Sequence, residues 1–359
     1  MTEIIQDMVG MQSLADQWNS LATHFKTPLL RHEWFTACAE AFCPAGRLYV
    51  VVVRSQGTIT AIAPLTLIKR AGVQRLEFLG SSFLDEPSGL LYADKASFAE
   101  IVHAVLDMGR PILFKRLLLD CSKVNALRKI CKKKGLVRFW KDTGSPWVPI
   151  GESPNDTWAT FEARISSSRQ ASIRRARKRA EKLGNLEFQI ISPKPDELGD
   201  YLREVFHVEA AGWKGREGSA MLSKPSLKHF FTKYSHAVAQ LGLLRLCFCR
   251  INGKAVATQL AVQYANRFWL LKIGYDEDWA RCSPGVLLTH ETIRYSFDQA
   301  LKSFEFLGSD QPWIHIWTDK VTPFLSSQIY PFSLKGLLGW SKDVPRSSAR
   351  KVRSAFKSS

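Results

Sequence analysis

The stretch FWLLKIGYDEDWARCSPGVLLTHETI, Phe268 to Ile293, reads as a buried strand, a short polar loop and a helix whose start faces a ligand. Phe268, Trp269, Leu270, Leu271 and Ile273 form an apolar, aromatic-rich run, as a strand buried on both faces requires. Ser283 is a good N-cap, Pro284 suits the first helical position, and Gly285 has no side chain to block close approach. Leu287, Leu288, Glu291, Thr292 and Tyr295 follow at helical spacing. A helix N-terminus presents unpaired N–H groups and a partial positive charge, which together can hold a phosphate. A plain strand–loop–helix connection has the same pattern.

Around this stretch lie 359 residues, enough for two domains of ordinary size. The chain is 45% hydrophobic and 23% charged, the composition of a folded rather than a disordered protein. Its formal net charge of +17 favours acidic partners: nucleic acid, phosphorylated cofactors or an anionic membrane surface. The first residues, MTEIIQDMVGMQSLADQW, carry acids and no long apolar core, and read as neither a secretory signal nor a transit peptide. No segment approaches the ~20 apolar residues of a membrane helix. The seven cysteines are scattered, and Cys247 and Cys249 read as core thiols on one strand face rather than metal ligands. No metal is expected, and the chain is expected to be cytoplasmic and reduced.

The first half reads as mixed α/β. RLYVVVVRSQGTITAIAPLTLIKR predicts two strands joined at Gln56–Gly57, and VQRLEFLG a third. A helix from Ala96 to Met108, the strand ILFKRLLLD and a helix through Ala126 to Lys134 complete it. Prolines and glycines cluster in GSPWVPIGESP, Gly144 to Pro154, which places the domain boundary there: 1–150 and 151–335. The second half predicts a helix from Trp158 to Leu183, the strand LEFQII, helices Glu197–Gly212 and Leu227–Leu241, and three strands in succession. These are LLRLCFCRI, AVATQLAVQY and RFWLLKIGY, with turns at Asn252–Gly253 and Asn266. The helix after Ser283, ending near Leu301, leads into SFEFLG, so the last two strands run parallel. Residues 341–359 are rich in Ser, Lys and Arg and read as a basic disordered tail.

SSSRQASIRRARKRAEKLG packs Arg169, Arg174, Arg175, Arg177, Lys178, Arg179 and Lys182 around a narrow stripe of Ile173, Ala176, Ala180 and Leu183. Such a helix is a solvated basic face, a clamp for nucleic acid or phosphate, or a contact for an anionic membrane surface.

HVEAAGWKGREGSAM (His207–Met221), INGKAVATQLAV (Ile251–Val262), LLKIGYDEDWARCSPGVLL and FEFLGSDQPWIHIW, in that order, resemble the CelD-like (cellulose biosynthesis protein-like) acetyltransferases. These are a branch of the GNAT superfamily related to the Fem-type aminoacyl transferases, and the basic helix resembles the first helix of their domain. The resemblance implies an α+β fold of tandem GNAT-like domains, each a mixed, mainly antiparallel twisted sheet flanked by helices. It implies that the second half carries the site and the first does not. It further implies acetyl-CoA or another acyl-CoA as co-substrate, with RFWLLKIGY and SFEFL as the splayed fourth and fifth strands.

On that likeness the CoA moiety is held by Lys272, Ile273, Gly274, Arg281, Ser283, Pro284, Gly285 and Val286, and ARCSPG replaces the glycine-richer phosphate loop usual in GNAT enzymes. Acyl transfer to an amine needs a base for the amine, an oxyanion stabiliser and a proton for the leaving thiolate. Tyr275 is the candidate acid and Glu209 or Asp276 the candidate base, although Tyr275 also reads as a packed aromatic, Asp276 as a turn cap and Glu209 as an ion-pair member. Trp213, Lys214, Asp310 and Trp313 stand on the acceptor side. Where relatives carry a Tyr-Lys pair before a Trp, this chain has Trp313–Ile314 before Trp317. The expected reaction is N-acylation of a small-molecule or saccharide amine, such as an amino sugar or cell-envelope polysaccharide precursor. The alternatives are a Fem-type transferase that uses aminoacyl-tRNA and a catalytically degenerate polysaccharide or envelope accessory protein.

Overall fold

Apolar runs become strands in the computed structural model, which describes residues 1–153, 155–212, 216–218 and 220–343. The strands are β1 (Thr2–Ile5), β2 (Leu48–Ser55), β3 (Thr58–Arg70), β4 (Val73–Phe78), β5 (Leu91–Tyr92), β6 (Ile112–Leu117) and β7 (Gly135–Pro149). They continue with β8 (Leu186–Ile191), β9 (Leu244–Ile251), β10 (Lys254–Tyr264), β11 (Arg267–Tyr275), β12 (Ser303–Glu305) and β13 (Val321–Pro331). The turn residues expected at Gln56–Gly57, Asn252–Gly253 and Asn266 all have positive φ, as tight hairpins need.

The chain divides into two compact units. The first holds Met1–Phe25, Leu29–Thr143 and the described part of Pro323–Ser359; the second holds Lys26–Pro28 and Gly144–Thr322. Each is a mixed, mainly antiparallel sheet flanked by helices. In the first, β1/β2, β2/β3 and β3/β4 pair antiparallel, β4/β6 parallel, and β6/β13 antiparallel. In the second, β8/β9, β9/β10 and β10/β11 pair antiparallel, β11/β12 parallel, and β12 pairs antiparallel with the end of β7. The two schedules are the same, save that β5 also pairs with β3 in the first unit. The first unit takes its final strand, β13, from beyond the second, whereas the second takes its own from the start of its run, the end of β7.

The sequence reading differs here. It carried the second domain to residue 335, whereas residues 323–331 of β13 belong to the first unit's sheet, paired with β6. It also placed the domain boundary in GSPWVPIGESP without a strand there, whereas Trp147, Val148 and Pro149 pair with Glu305, Phe304 and Ser303. Proline lacks an N–H and marks a strand poorly, yet it is tolerated where the partner does not need that donor. The expected helix from Trp158 to Leu183 is two helices, Trp158–Arg164 and Ser167–Leu183. Ile165 is extended and buried between them, and Gln170 Nε2 donates to the carbonyls of Glu162 and Ile165. Residues 341–343, expected to be disordered, close a helix over 334–343; the rest of the expected tail lies outside the described residues.

The second unit's core joins Ile173, Ala176 and Ala180 of the basic helix to Phe268, Leu270, Leu287, Leu288 and Phe304. Cys247 and Cys249 are fully buried within it, and burial pushes the Cys249 thiol up to about 12.

Candidate active site

The parallel ladder of β11 and β12 lasts three residue pairs, ending at Trp269 and Glu305. Beyond it the Phe306 N–H turns away to the Pro146 carbonyl, and Leu307 and Gly308 adopt positive φ. β11 continues through Leu270–Tyr275 paired with β10, and among the described residues its ladder with β12 does not extend past Trp269. An open strand edge is a template for an extended ligand with amides of its own.

Gly274 fixes one wall of the cleft. A Cβ there would lie 2.5 Å from Glu209 Cα, so β11 presses against the helix Leu198–Ala210. Gly212 makes a similar approach, its virtual Cβ 2.9 Å from the Tyr275 carbonyl oxygen. Glu209 is thereby buried, and its Oε2 accepts the Met221 N–H at 2.8 Å. Lys272, on the same face as Gly274, places its ammonium 5.2 Å from the centre of the Phe231 ring.

The opposite face carries Ile273 and Tyr275, both packed on the core beneath the helix Pro284–Asp298. Ser283 stands before that helix in the left-handed region (φ 49°) and makes no capping bond with its side chain. Its hydroxyl is therefore not spent as the expected N-cap. Pro284 has no N–H, and the Val286 N–H already bonds the Ser283 carbonyl at 3.0 Å. Gly285 retains an N–H with no acceptor among the described residues, and a Cβ on it would meet Tyr275 Cδ1 at an ordinary 3.5 Å. Arg281 is exposed on the preceding turn, Glu277–Cys282, and makes no ion pair among the described residues. The start of this helix thus offers one amide, one hydroxyl and a nearby guanidinium to an anion.

Of the proton-transfer candidates, Tyr275 has a hydroxyl without a hydrogen-bond partner among the described residues. Asp276 caps its turn: Oδ1 accepts the Asp278 N–H at 3.1 Å, and Oδ2 accepts from Lys254 Nζ at 3.0 Å. Trp213 and Lys214 lie outside the described residues. Asp310 and Trp313 are both exposed; Asp310 Oδ1 lies 3.1 Å from His315 Nε2, and Trp313 packs edge-on against Phe306. Ile314 is 3% exposed and lodged in the core cluster that also holds Trp317. That position fills the core, so a lysine there would carry its charge inward.

The basic helix Ser167–Leu183 packs against the turn Glu277–Cys282 and against Pro284–Asp298. Arg177 is its anchored cation, paired with the buried Glu291 and stacked over Phe188. Burial alone would raise the Glu291 carboxyl, but its bond to His290 and the charges of Arg294 and Arg177 outweigh it and hold the group below the ordinary carboxylate range. Arg169, Arg174, Arg175, Lys178, Arg179 and Lys182 are exposed and make no ion pair among the described residues.

Residues 167–314 match the family model of an acetyltransferase (GNAT) domain. The matched span contains the strand splay, the bare helix start and the basic helix. No curated protein sequence matches the chain. Among solved structures, FemX is similar with a TM-score of 0.57 at 10% identity, covering 92% of this chain and 97% of that one. A conserved protein of unknown function from Bacteroides thetaiotaomicron gives 0.55 at 10% identity, covering 92% and 99%. The C-terminal domain of a protein described as a lysylphosphatidylglycerol synthetase, from Agrobacterium fabrum, gives 0.54 at 12% identity, covering 93% and 96%. These likenesses are of fold.

Within the matched span the structure adds residues that the sequence reading passed over. Gln259 Nε2 donates to Thr289 Oγ1 at 3.0 Å, and that hydroxyl donates to the Gly285 carbonyl at 2.9 Å, which ties the helix start to β10. The Gln259 Oε1 is buried without a partner among the described residues. The register Gln259–Ile273 puts this amide on the cleft's helix side, a placement that only the β10/β11 pairing reveals.

Proposed function

We propose that the protein is an acyl-CoA-dependent N-acyltransferase that moves an acyl group from the CoA thioester to a primary amine. The observation that carries this reading is the parting of β11 from β12 after Trp269, close to an uncapped helix start with a spare amide at Gly285. The pantetheine arm pairs along β11 beyond that point, and the pyrophosphate lies on Ser283 and Gly285 with Arg281 beside it. The amine nitrogen attacks the thioester carbonyl, and an N–H on the β11 edge stabilises the oxyanion. As the intermediate collapses, the C–S bond breaks and Tyr275 gives its proton to the thiolate. The proton lost by the amine passes through water to Glu209, the carboxylate nearest the strand that Asp276's capping bonds leave for this work. An amino sugar or a cell-envelope polysaccharide precursor is the acceptor class we favour, and the cytoplasm the compartment. Titration with acetyl-CoA by calorimetry, with melting measured in parallel, tests the reading: binding and a rise in Tm are expected, and the absence of both overturns it.

A second reading, transfer from aminoacyl-tRNA as in Fem-type enzymes, is favoured by the exposed cations of Ser167–Leu183 beside the same turn. It requires tRNA binding that weakens steeply with salt. A protein that fails to retain tRNA at low salt is not of that class.

A further inference from the structure

Helix 334–343 of the first unit is built inside out. Its buried stripe is Gly336 and Gly339, while Leu334, Leu337, Leu338 and Trp340 face outward. Leu334 is 89% exposed, and Phe332, just before the helix, is 61% exposed. A surface helix that only completed a fold would turn its leucines inward. Here the glycines permit close seating instead: a Cβ on Gly339 would lie 2.4 Å from Pro111 Cγ, and one on Gly336 would meet the Pro331 carbonyl.

Polar bonds then fasten the helix in that orientation. Asp343 pairs with the buried Arg75, Nη2 to Oδ1 at 2.9 Å, and accepts from Gln328 and from the Tyr330 hydroxyl at 2.7 Å. Of the thirteen large apolar side chains exposed among the described residues, five fall in the nine residues from Phe332 to Trp340. Concentrated apolar surface of this kind marks an interaction site.

We infer that this helix lies on the surface of an anionic lipid bilayer. The charge around it selects the partner. Lys335 and Lys342 flank the apolar face, and residues 344–359 contain five Lys or Arg and no Asp or Glu. A second copy of the chain would bring these cations together, whereas anionic headgroups neutralise them. The helix is far too short to span a bilayer, so its leucines and Trp340 enter only the interfacial layer. This surface is independent of the acyl-CoA reading.

The test is co-sedimentation of the full chain with vesicles of phosphatidylglycerol and phosphatidylcholine, against vesicles of phosphatidylcholine alone. Binding to the anionic vesicles at physiological salt is expected, weaker by at least about tenfold on neutral vesicles. The double variant Leu334→Ser/Leu338→Ser is expected to lose about tenfold in binding with an unchanged Tm, because neither side chain packs in the core. Lys335→Glu/Lys342→Glu checks the charge contribution separately and should weaken only the anionic binding. Three results overturn the inference: no binding by the parent chain, full binding by the serine variant, or a concentration-dependent dimer that the serine variant abolishes. Loss of binding only when Arg174, Arg175 and Lys178 are replaced by Gln would also overturn it, and assign the lipid contact to the basic helix.

Discussion

The long helices that lead from β4 to β6 and from β11 to β12 begin in opposite ways. In the first unit, helix Lys95–Asp107 is sealed: Asp94 Oδ1 accepts the Ser97 N–H, and Ser97 Oγ accepts the Asp94 N–H. In the second, helix Pro284–Asp298 starts at Ser283 with no side-chain cap and a spare Gly285 amide. One strand schedule therefore supports a helix start closed by its own carboxylate and another open to a foreign anion. Topology alone does not set how a helix begins. The residue before the helix decides it.

That comparison can be broken most violently at the strand beneath the open start. Gly274→Ala forces a Cβ onto Glu209 Cα, and we expect a loss of about 3 kcal/mol in unfolding free energy, measured by urea denaturation, together with loss of acetyl-CoA binding. Next comes Ser283→Asp, which gives the second unit the first unit's device. Asp tolerates the left-handed backbone, so the fold should hold while acetyl-CoA affinity falls at least about tenfold, roughly 1.4 kcal/mol, by calorimetry. The reverse change, Asp94→Ala, should cost about 1 kcal/mol of stability and leave acetyl-CoA affinity unaltered. Gly285→Ala makes the mildest test. Its Cβ meets Tyr275 at an ordinary 3.5 Å and the amide survives, so stability should move by less than about 0.5 kcal/mol.

The units also differ in how their buried carboxylates answer pH. Glu291 is held below the ordinary carboxylate range, so its stabilisation is present above that range and disappears as pH falls through the depressed value. Glu77 of the first unit is raised by burial, with Ser82 and Lys115 opposing, so its contribution runs the other way: full below the ordinary value and lost as pH rises through the raised one. Denaturation of Glu291→Gln and Glu77→Gln between about pH 3 and about pH 7 should therefore change the slope of stability with opposite sign.

Much of this was legible in the residues. β2, β3, β9, β10 and β11 announce themselves as apolar, β-branched or aromatic runs between Gly and Asn turns, and the Ser283–Pro284–Gly285 helix start is local chemistry. β7 and β13 are not legible in this way, because Pro146 and Pro149 mimic a linker and Ser326 and Ser327 are buried polar residues in a strand without alternation. The Gly274–Glu209 contact and the Gln259–Thr289–Gly285 chain escaped for a different reason. They join residues distant in sequence, and only the strand register brings them together.

The late return of β13 to the first unit has a consequence for synthesis. β6 must wait for β13, which leaves the ribosome only after the entire second unit, so the first unit's sheet is incomplete while the second is already able to fold. A fragment ending near residue 150 would present β6 as a bare edge, and the order in which the chain is made is thereby written into which half can stand alone first.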